Sequence, residues 1–497
     1  SAFSWSSPPP PPPLDRSQGN GPRPAACPDA PTMIILKHSL AGGEAAEAAA
    51  TAAFGALGVI TDVCLDLDGV DIPLSEKKGK CQHALLLELC ATLRCRISFS
   101  ALPSEEVVNA LLDVGALTVQ LPVDLAHEGL EAFANFASCF PRGRVVAACG
   151  KATEGGPSLA EAVAYLRDYV GGIVIEAEEL HANPSEGVET LLAELATHSG
   201  REGAQDYIRV CASVAGAVTP EVVGAAHSKG VDVLAPAVAA GDAVVDAASE
   251  PAALAGAVAQ CFVKSCRTDR ADGLFTTVVC DEMGVALGLV YSSEESIVRS
   301  IVEQRGIYYS RSRNGLWRKG DSSGAVQLLR RVDTDCDGDA LRFLVLQRGG
   351  DGEDIGEESK VVAGHGPFCH CGTRGCWGDA NGGIIELQRT LFSRKVNAPE
   401  GSYTQRLFSD PELLKNKLLE EAQELIEAEE PDHVAAEAAD VLYFAMVRMA
   451  AKGVTLQQAA QHLNRRSLKV KRRPGNAKAY RIAAAEAVLC KESNGSS

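Results

Sequence analysis

The sequence contains two short segments whose residue types could bind metal ions. One segment is the run Asp335-Cys336-Asp337-Gly338-Asp339, and the other, about thirty residues later, contains Cys369, His370 and Cys376. Carboxylate oxygens are the ligands that Mg²⁺ prefers, whereas thiolate sulfurs are typical ligands of Zn²⁺. The two segments together predict a magnesium site and a zinc site within one small region of the chain.

The acidic run does not fit the calcium-binding loop of an EF-hand. A loop that begins at Asp333 places Gly338 correctly at its sixth position, but Leu344 then stands at the twelfth, where a bidentate glutamate is required. A loop that begins at Asp335 instead places Ala340 at the glycine position. Neither register is therefore consistent with an EF-hand.

Two interpretations of the cysteines remain open. In a structural zinc site, Cys371 supplies a fourth thiolate beside Cys336, Cys369 and Cys376 and closes a tetrahedron. In a catalytic site, only Cys336, Cys369 and Cys376 bind zinc, and the fourth position is open to water. The catalytic interpretation gives His370 a use, as the acid or base beside the activated water.

A polar segment precedes the acidic run. It contains Tyr308-Tyr309-Ser310-Arg311-Ser312-Arg313, followed by Leu316-Trp317-Arg318-Lys319-Gly320. Hydroxyl and guanidinium groups that alternate along a strand can cover phosphate oxygens from one face, while the aromatic rings pack below. Taken alone, this is also the pattern of an ordinary polar strand.

Taken together, these segments resemble phosphoribosyl-AMP cyclohydrolase, a family that hydrolyses the bond between N1 and C6 of the adenine ring in histidine biosynthesis. The ribosyl group on N1 leaves C6 electron-poor, so a zinc-activated hydroxide can add there. The resemblance implies three sets of site residues. They are Cys336, Cys369 and Cys376 for zinc, with Cys336 contributed across a homodimer; Asp335, Asp337 and Asp339 for magnesium; and Ser310, Arg311, Ser312, Arg313, Trp317 and Lys319 for the substrate.

This sequence departs from the cyclohydrolase pattern near the cysteines. Cys371 stands where threonine is common, and Trp377 stands where phenylalanine is common. An acidic insertion, residues 351–360, separates the two halves of the predicted site. We predict a small α+β cyclohydrolase domain over residues 272–379, in which Cys371 leaves the identity of the zinc-binding thiols open.

The last predicted domain, residues 382–490, is mainly helical and carries a second set of acids. The acids spaced to face one way on two successive long helices are Glu420, Glu421, Glu424, Glu437 and Asp440. Acids at this spacing more often form the solvated face of a helix. Here the row through Asp440 continues along Phe444 and Val447, which indicates a core-facing stripe. Buried acids on facing helices require a cation.

This pattern of acids resembles the all-α nucleotide pyrophosphohydrolases, in which magnesium is held against a pyrophosphate. With residues 401–404 and Lys417, the region resembles phosphoribosyl-ATP pyrophosphohydrolase. The resemblance implies magnesium at the five acids and catalytic roles for Glu421 and Glu424. It also implies substrate contacts from Ser402, Tyr403, Thr404 and Lys417. The product of this reaction, phosphoribosyl-AMP, is the substrate of the cyclohydrolase, so the two expectations support each other.

The first predicted domain, residues 33–264, alternates short β-rich runs with Ala- and Leu-rich helical segments. The eight runs are Met33–Lys37, Ile60–Leu67, Arg96–Ser100, Leu117–Leu121, Val145–Cys149, Gly172–Glu176, Tyr207–Ala212 and Val231–Leu234. This repetition predicts a closed (β/α)8 barrel. Residues 110–116 and 225–232, which join a helix to the next strand, resemble the histidine-biosynthesis barrels that isomerise phosphoribosyl compounds.

Catalysis in the barrel is the less favoured of two hypotheses. Barrels of that kind hold phosphates on glycine-rich turns after strands seven and eight, but the turns here, residues 213–216 and 235–238, contain few glycines. Asp66 and Asp68 follow the second strand and fit either acid/base chemistry or helix capping. A scaffold, assembly or regulatory role is the alternative.

Composition limits the class of protein. The net charge of −18 over 497 residues argues against a nucleic-acid partner. A basic run at residues 465–473 fits the phosphate-facing or solvated end of the helical domain better than a nucleic-acid patch. No apolar run reaches the roughly 18 residues that a membrane span requires, so we expect no membrane partner.

The cysteines and the first residues bear on the compartment. The 16 cysteines lie scattered through apolar runs, which is typical of free thiols in a reducing compartment. Residues 1–32 are rich in proline and are expected to form a disordered lead-in. We therefore expect a cytoplasmic protein, with a plastid location as the alternative because the lead-in is poor in acids, as transit peptides are.

These expectations describe a multidomain chain with a layout similar to that of the fungal histidine-biosynthesis multifunctional proteins. The rival hypothesis is a metal-stapled scaffold or regulatory protein whose catalytic sites have decayed. The presence of every implied ligand argues against it.

Overall fold

The computed structural model describes residues 34–40, 57, 60, 62–75, 80–150, 156–177, 180, 186–199, 207–335, 337–348, 367–378 and 383–470. Four features of the sequence lie outside these residues: the Pro-rich lead-in, Cys336, the acidic insertion, and the end of the basic run, residues 471–473.

Eight parallel strands close into a barrel, which confirms the predicted (β/α)8 fold. The barrel strands are β1 (Ile34–Ser39), β2 (Asp62–Asp66), β3 (Cys95–Ser98), β4 (Thr118–Val123), β5 (Val145–Cys149), β6 (Gly172–Glu176), β7 (Arg209–Ser213) and β9 (Val231–Ala235). The helices between and after them are α1 (Ala84–Thr92), α2 (Glu105–Val114), α3 (His127–Ala137), α4 (Leu159–Leu166), α5 (Glu186–Thr197), α6 (Pro220–Ser228) and α7 (Pro251–Ser265). Each predicted run agrees with its strand to within two residues at either end.

Polar capping residues set the beginnings of several barrel helices. The Ser104 hydroxyl accepts a hydrogen bond from the backbone N–H of Val107, and Ser158 forms a reciprocal capping box with Glu161. The Thr219 hydroxyl caps α6 by accepting a hydrogen bond from the backbone N–H of Val222. These side chains satisfy backbone N–H groups that lack partners within the helix, which fixes where the helices begin.

The barrel interior is apolar in its middle and ionic at the amino ends of its strands. The apolar layer consists of Ile35, Cys64, Val146, Val174, Cys211 and Leu234. At the amino end, Asp62 accepts hydrogen bonds from Arg94 Nε at 2.7 Å and Arg96 Nη2 at 2.9 Å, and Asp232 pairs with Arg209. Both aspartates at this end of the barrel are therefore compensated by arginines, Asp62 by two and Asp232 by one.

A small sheet lies at the carboxyl end of the barrel, after β7 and β9. It contains β8 (Ala217–Val218), β10 (Ala237–Ala240) and β11 (Ala243–Asp246) in the order β11-β10-β8. Asp66 pairs with Lys37 at 2.9 Å, and Asp68 accepts a hydrogen bond from the backbone N–H of Ser100 at 2.6 Å. Both acids thus have structural partners at the carboxyl end of the barrel.

The central region is built on a four-stranded sheet, ordered β13-β12-β17-β16, and a hairpin. The strands are β12 (Phe275–Cys280), β13 (Ala286–Ser292), β14 (Ile307–Ser310), β15 (Gly315–Arg318), β16 (Gln327–Thr334) and β17 (Ala340–Gln347), with α8 (Glu294–Glu303) between β13 and β14. The antiparallel strands β12 and β13 form a hairpin with its turn at residues 281–284. The acidic run forms the connection between β16 and β17.

The region that follows is helical. Its helices are α9 (Gly383–Asn397), α10 (Tyr403–Ser409), α11 (Pro411–Glu427), α12 (Pro431–Ala451) and α13 (Leu456–Ser467). Asp410 caps α11 by accepting a hydrogen bond from the backbone N–H of Leu413 at 2.9 Å, and Pro411 occupies the first turn, as the sequence indicates. A small buried cluster from α9 to α12, centred on Leu414, Phe444 and Val447, holds these helices together.

The barrel contacts both of the other regions. One buried apolar cluster extends from Ile34 in the barrel to Phe368 in the central region. Arg144 Nη1 donates to the carbonyl of Leu468 at 2.6 Å, and the backbone N–H of Val470 donates to Asp113 Oδ1 at 3.1 Å. Among the helices of the described residues, none has both the length and the apolar character of a membrane span.

We predict that Asp62→Asn destabilises the barrel. Asp62 is 1% exposed, and although burial raises the pKa of its carboxyl, Arg96 and Arg94 more than offset burial and hold the pKa well below its ordinary value. The substitution leaves two guanidinium groups without their anion, so we expect the free energy of unfolding to fall by about 3 kcal/mol, measured as a shift of the barrel transition in urea.

Acid titration provides a second measurement of the interaction of Asp62 with Arg94 and Arg96. Because the folded-state pKa of Asp62 is depressed, the stability that it contributes is present above the ordinary pKa of aspartate and is lost as the pH falls. The wild type should therefore lose more stability than Asp62→Asn between about pH 5 and pH 3. Asp242→Asn, at an exposed turn, is the control and should behave as the wild type. Equal stability of Asp62→Asn and this control would contradict the prediction.

Candidate functional site

The acidic run brings three carboxylates together. Ligand oxygens of Asp335, Asp337 and Asp339 lie within 4.8 Å of one another. Asp335 Oδ1 accepts hydrogen bonds from the backbone N–H groups of Asp339 at 3.0 Å and Ala340 at 3.1 Å, and Gly338 adopts a left-handed φ of 81° that closes the turn. The sequence expectation that these three aspartates converge is therefore met.

The charges of the three aspartates oppose one another. Burial disfavours the charged form of Asp335, but hydrogen bonds from the backbone of Ala340 and Asp339 hold its pKa below the ordinary value. The negative charge of Asp337 raises the pKa of Asp339. A divalent cation relieves such repulsion, so the donor chemistry of this cluster fits a hard metal ion.

A second group of possible metal ligands lies in the loop after Phe368, here called the cysteine loop (residues 369–376). Donor atoms of Cys369, His370 and Cys371 lie within 4.8 Å of one another. The backbone N–H of Cys371 lowers the pKa of the Cys369 thiol, and burial, with the charge of Cys369, raises the pKa of Cys376. Sulfur donors that interact in this way fit a soft metal ion.

The structure keeps both interpretations of the cysteine loop open. Cys371 lies among the grouped donors, as a fourth thiolate would, and Cys376 is fixed through its backbone N–H, which donates to the carbonyl of Leu287 at 2.7 Å. His370 is exposed, and its Nδ1 lies 3.9 Å from Cys369 Sγ. Cys336, the remaining predicted ligand, is outside the described residues.

Lys319 lies beneath the cysteine loop and not on an open surface. It is 6% exposed, and its Nζ donates to the carbonyl of Phe368 at 2.6 Å. Burial lowers the pKa of Lys319, and the charges of Cys376 and Cys369 oppose this. Its position supports the loop that carries the cysteines, whereas the sequence suggested contact with a substrate.

The other residues predicted to bind phosphate lie on and around the hairpin turn. Ser310 ends β14, and Arg311, Ser312 and Arg313 form the exposed turn before β15. The Arg311 guanidinium stacks 3.9 Å from the ring centre of Tyr291, and the guanidinium of Arg270 lies 4.5 Å from the same ring. Arg311 is therefore oriented by an aromatic ring at the end of β13.

Sequence reasoning identified Arg311 but not the ring that orients it. Tyr291 ends a predicted strand, and nothing in the local pattern pairs it with the turn after β14. Trp317 packs instead against the buried ring of Tyr308, with 6.0 Å between ring centres, so it supports the hairpin from below.

The helical region contains a third cluster of possible ligands. Carboxylate oxygens of Glu421, Glu424 and Glu437 lie within 4.8 Å of one another. Glu421 is 5% exposed, and Oε2 of Glu437 is buried with no hydrogen-bond partner among the described residues. Partial desolvation and the charges of Glu421 and Glu437 raise the pKa of Glu424. A buried carboxylate oxygen without a donor fits a site for a cation.

Two of the five predicted acids lie outside this cluster. Glu420 is exposed and pairs with Lys417 at 2.9 Å, and Asp440 is exposed one turn beyond Glu437. Phe444 and Val447 are buried as the row predicted, but the small core covers only the second half of α12. The acids in the first half of α12 are therefore less buried than the apolar row suggested.

Lys417 links the acids to the residues around Tyr403. Its Nζ lies 2.8 Å from Glu421 and 5.6 Å from the ring centre of Phe444, and the two glutamates raise its pKa well above the ordinary value. The Tyr403 ring meets Phe444 edge-on. Tyr403 and Lys417 thus lie on the same side of α12.

Ser402 and Thr404 have structural partners. Ser402 caps α10 by accepting a hydrogen bond from the backbone N–H of Gln405 at 3.3 Å. The buried Thr404 hydroxyl accepts from Arg394 Nη1 at 3.2 Å. These contacts account for both side chains without a ligand, so their place at the start of α10 also has a structural explanation.

Comparison with known proteins identifies both regions. The sequence model of the family described as "Phosphoribosyl-ATP pyrophosphohydrolase" matches residues 384–467, and that of "Phosphoribosyl-AMP cyclohydrolase" matches residues 288–353. The cyclohydrolase family uses metal ions, and the described residues offer candidate groups to hold them.

Curated relatives agree with these matches. The "Histidine biosynthesis bifunctional protein his7" of Schizosaccharomyces pombe is 48% identical over 234 residues, which are 47% of this chain and 51% of the relative. The "Histidine biosynthesis trifunctional protein" of Kluyveromyces lactis is 50% identical over 212 residues, 43% of this chain and 25% of the relative. The alignments thus span between a quarter and a half of these fungal relatives.

A shorter relative is covered almost completely. The "Histidine biosynthesis bifunctional protein HisIE" of Parasynechococcus marenigrum is 34% identical over 223 residues, 41% of this chain and 92% of the relative. The chain therefore belongs to the histidine-biosynthesis family that joins a phosphoribosyl-AMP cyclohydrolase domain to a phosphoribosyl-ATP pyrophosphohydrolase domain.

Proposed function

We propose that this chain catalyses two successive hydrolyses in histidine biosynthesis. The helical domain, residues 382–490, converts phosphoribosyl-ATP into phosphoribosyl-AMP and pyrophosphate. The central domain, residues 272–379, then opens the adenine ring between N1 and C6. The observation that carries the proposal is the separation of two donor chemistries, since sulfur donors lie in the cysteine loop and a cluster of carboxylates lies between α11 and α12.

We assign metal ions by the chemistry of the donors. Cys369 and Cys376, with Cys336 from across a homodimer, would hold zinc; Asp335, Asp337 and Asp339 would hold magnesium; and Glu421, Glu424 and Glu437, with Glu420 and Asp440 nearby, would hold a second magnesium ion. Zinc would supply Lewis acidity that lowers the pKa of a water molecule, and magnesium would supply positive charge that neutralises phosphate oxygens.

The central domain's own residues would bind the substrate and move a proton. Arg311 and Arg313, on an exposed turn, would hold a phosphate group, with Ser310 and Ser312 as further donors. His370, exposed beside Cys369, would accept a proton from the attacking water and return it to N1 as the bond between C6 and N1 breaks.

The helical domain's residues would act on the triphosphate. Glu421 and Glu424 would orient the water that attacks the anhydride bond between the α- and β-phosphates. Lys417, held by Glu421 at 2.8 Å, would face the phosphate charge together with Tyr403.

The cysteines of the described residues are free thiols, which supports a reducing, cytoplasmic location.

One assay tests the proposed function. Purified chain is given phosphoribosyl-ATP with magnesium and zinc, and released pyrophosphate and the absorbance of the opened ring are followed. We expect both products, with pyrophosphate first. An absence of turnover would support the rival hypothesis of a scaffold with decayed sites.

We predict that each site can be inactivated alone. Cys369→Ser should lower ring opening at least about 100-fold while pyrophosphate release persists, because it removes a zinc ligand. Glu421→Gln should lower pyrophosphate release and leave the opening of supplied phosphoribosyl-AMP unchanged. Loss of both activities in either variant would argue against independent sites.

Cys371→Ser distinguishes the two interpretations of the cysteine loop. We expect it to retain zinc and ring opening, since the catalytic interpretation leaves Cys371 unbound. Loss of zinc in this variant would favour the closed structural site. Cys139→Ser, at an exposed cysteine of the barrel, serves as the control for thiol loss.

A glycine on β13 allows the cysteine loop to approach the sheet. A Cβ atom at Gly288 would overlap the Phe368 ring and lie 3.0 Å from Cys376 Sγ. We expect Gly288→Ala to weaken zinc retention and ring opening by about 10- to 100-fold, with pyrophosphate release unchanged. The control is Gly143→Ala, because a Cβ there meets open space. Unchanged zinc retention in Gly288→Ala would contradict the role of this close approach.

A further inference from the structure

A buried ion cluster links the cysteine loop to the helical domain. Asp281 Oδ2 lies 3.5 Å from Arg374 Nη2 and 3.3 Å from Arg389 Nη2. Asp281 belongs to the turn between β12 and β13, Arg374 lies in the cysteine loop between Cys369 and Cys376, and Arg389 belongs to α9. The exposed fractions of the three residues are 5%, 8% and 6%.

The carboxylate at the centre of this cluster is held by its own turn. Asp281 Oδ1 accepts hydrogen bonds from the backbone N–H groups of Met283 and Val285, each at 3.0 Å. Its other oxygen is therefore directed toward the two guanidinium groups. Arg389 is fixed on its far side by Glu386, whose carboxylate lies 2.8 Å from Nη1. The four charges sum to zero.

The backbone around Arg374 is part of the cysteine loop's own hydrogen bonding. The N–H of Phe368 donates to the carbonyl of Arg374 at 3.2 Å, and the N–H of Cys369 donates to that of Thr373 at 3.1 Å. A displacement of Arg374 therefore moves the residues that carry the sulfur donors. Arg374 and Arg389 repel each other, and the Asp281 carboxylate between them offsets this repulsion.

We propose that Asp281 is a positioning residue that couples α9 of the helical domain to the metal-binding geometry of the cysteine loop. The inference rests on the proposed function in that zinc is the metal of this loop. It assigns to a helix of the pyrophosphohydrolase domain a role in the neighbouring cyclohydrolase site. Two buried cations share one anion, so the charge at position 389 determines how Arg374, and with it Cys369 and Cys376, are held.

The charge balance of the cluster allows a test that distinguishes this proposal from a general loss of packing. Asp281→Asn removes the carboxylate that Arg374 and Arg389 share and leaves their mutual repulsion, while Glu386 still pairs with Arg389, so the cysteine loop should be displaced. Arg389→Met removes one of the two cations while it keeps a side chain of similar length. The double variant Asp281→Asn/Arg389→Met should therefore recover part of what Asp281→Asn loses, because the repulsion is gone.

The experiment uses the full chain in four forms: wild type, the two single variants and the double variant. Zinc retention is measured by competition with a chelator, and the thiolate charge-transfer spectrum is recorded after cobalt(II) replaces zinc. Asp281→Asn should retain zinc about 10- to 100-fold more weakly and show an altered spectrum. The double variant should recover a large part of that loss, and pyrophosphate release should stay unchanged throughout.

Three results would overturn the proposal: unchanged zinc retention and spectrum in Asp281→Asn, a double variant no better than Asp281→Asn, or a parallel loss of pyrophosphate release. If Asp281→Asn does not fold, Arg389→Met alone decides. It should shift the cobalt spectrum, because Asp281 then pairs with Arg374 only, whereas Glu386→Gln on the exposed side of Arg389 should not. An unchanged spectrum in Arg389→Met would overturn the proposal.

The proposed function fails separately from this coupling. A wild type that retains zinc but converts neither substrate would contradict the proposed activities. The effect of the variants on zinc retention and on the cobalt spectrum could still be measured in such a protein.

Discussion

Compensation of buried charge is the constraint on which this structure depends, because an unpaired ion in a protein interior costs several kcal/mol. In the barrel, arginines compensate Asp62 completely. Beneath the cysteine loop, the buried ammonium of Lys319 donates a hydrogen bond to the carbonyl of Phe368 at 2.6 Å. In the acidic clusters compensation from the protein is incomplete, and Oε2 of Glu437 is buried with no partner among the described residues. The carboxylate clusters in which the chain leaves negative charge unbalanced are the places where we assign magnesium ions.

The barrel holds its own acids and contacts the other two regions of the chain. In the barrel, Asp66 and Asp68 have structural partners at the carboxyl end of the strands, and a small sheet follows β7 and β9. The segment after α7 contacts the loop of aspartates through the backbone N–H of Arg267, which donates to the carbonyl of Gly338 at 2.9 Å, and the barrel contacts the end of the helical region through Arg144. The barrel also shares one buried apolar cluster with the central region.

Local sequence patterns predicted the fold well, since period, caps and turns are short-range signals. The eight barrel strands followed from them. The convergence of the three aspartates was predictable because one turn carries them. Contacts between distant segments were not: the stacking of Arg311 on Tyr291, the burial of Lys319 and the exposure of Asp440 depend on how elements pack. The link between Asp281 and Arg389 joins residues of two domains, and no local pattern encodes it.

X-ray absorption at the zinc edge, on purified full-length chain, tests the central claim most directly. The proposed assignment of a soft metal to the cysteine loop predicts a first coordination shell dominated by sulfur at about 2.3 Å. It also predicts that Cys369→Ser lowers the sulfur count, whereas Glu421→Gln does not. A zinc shell of oxygen and nitrogen only, or a shell that changes with Glu421 instead of Cys369, would contradict the separation of the two sites.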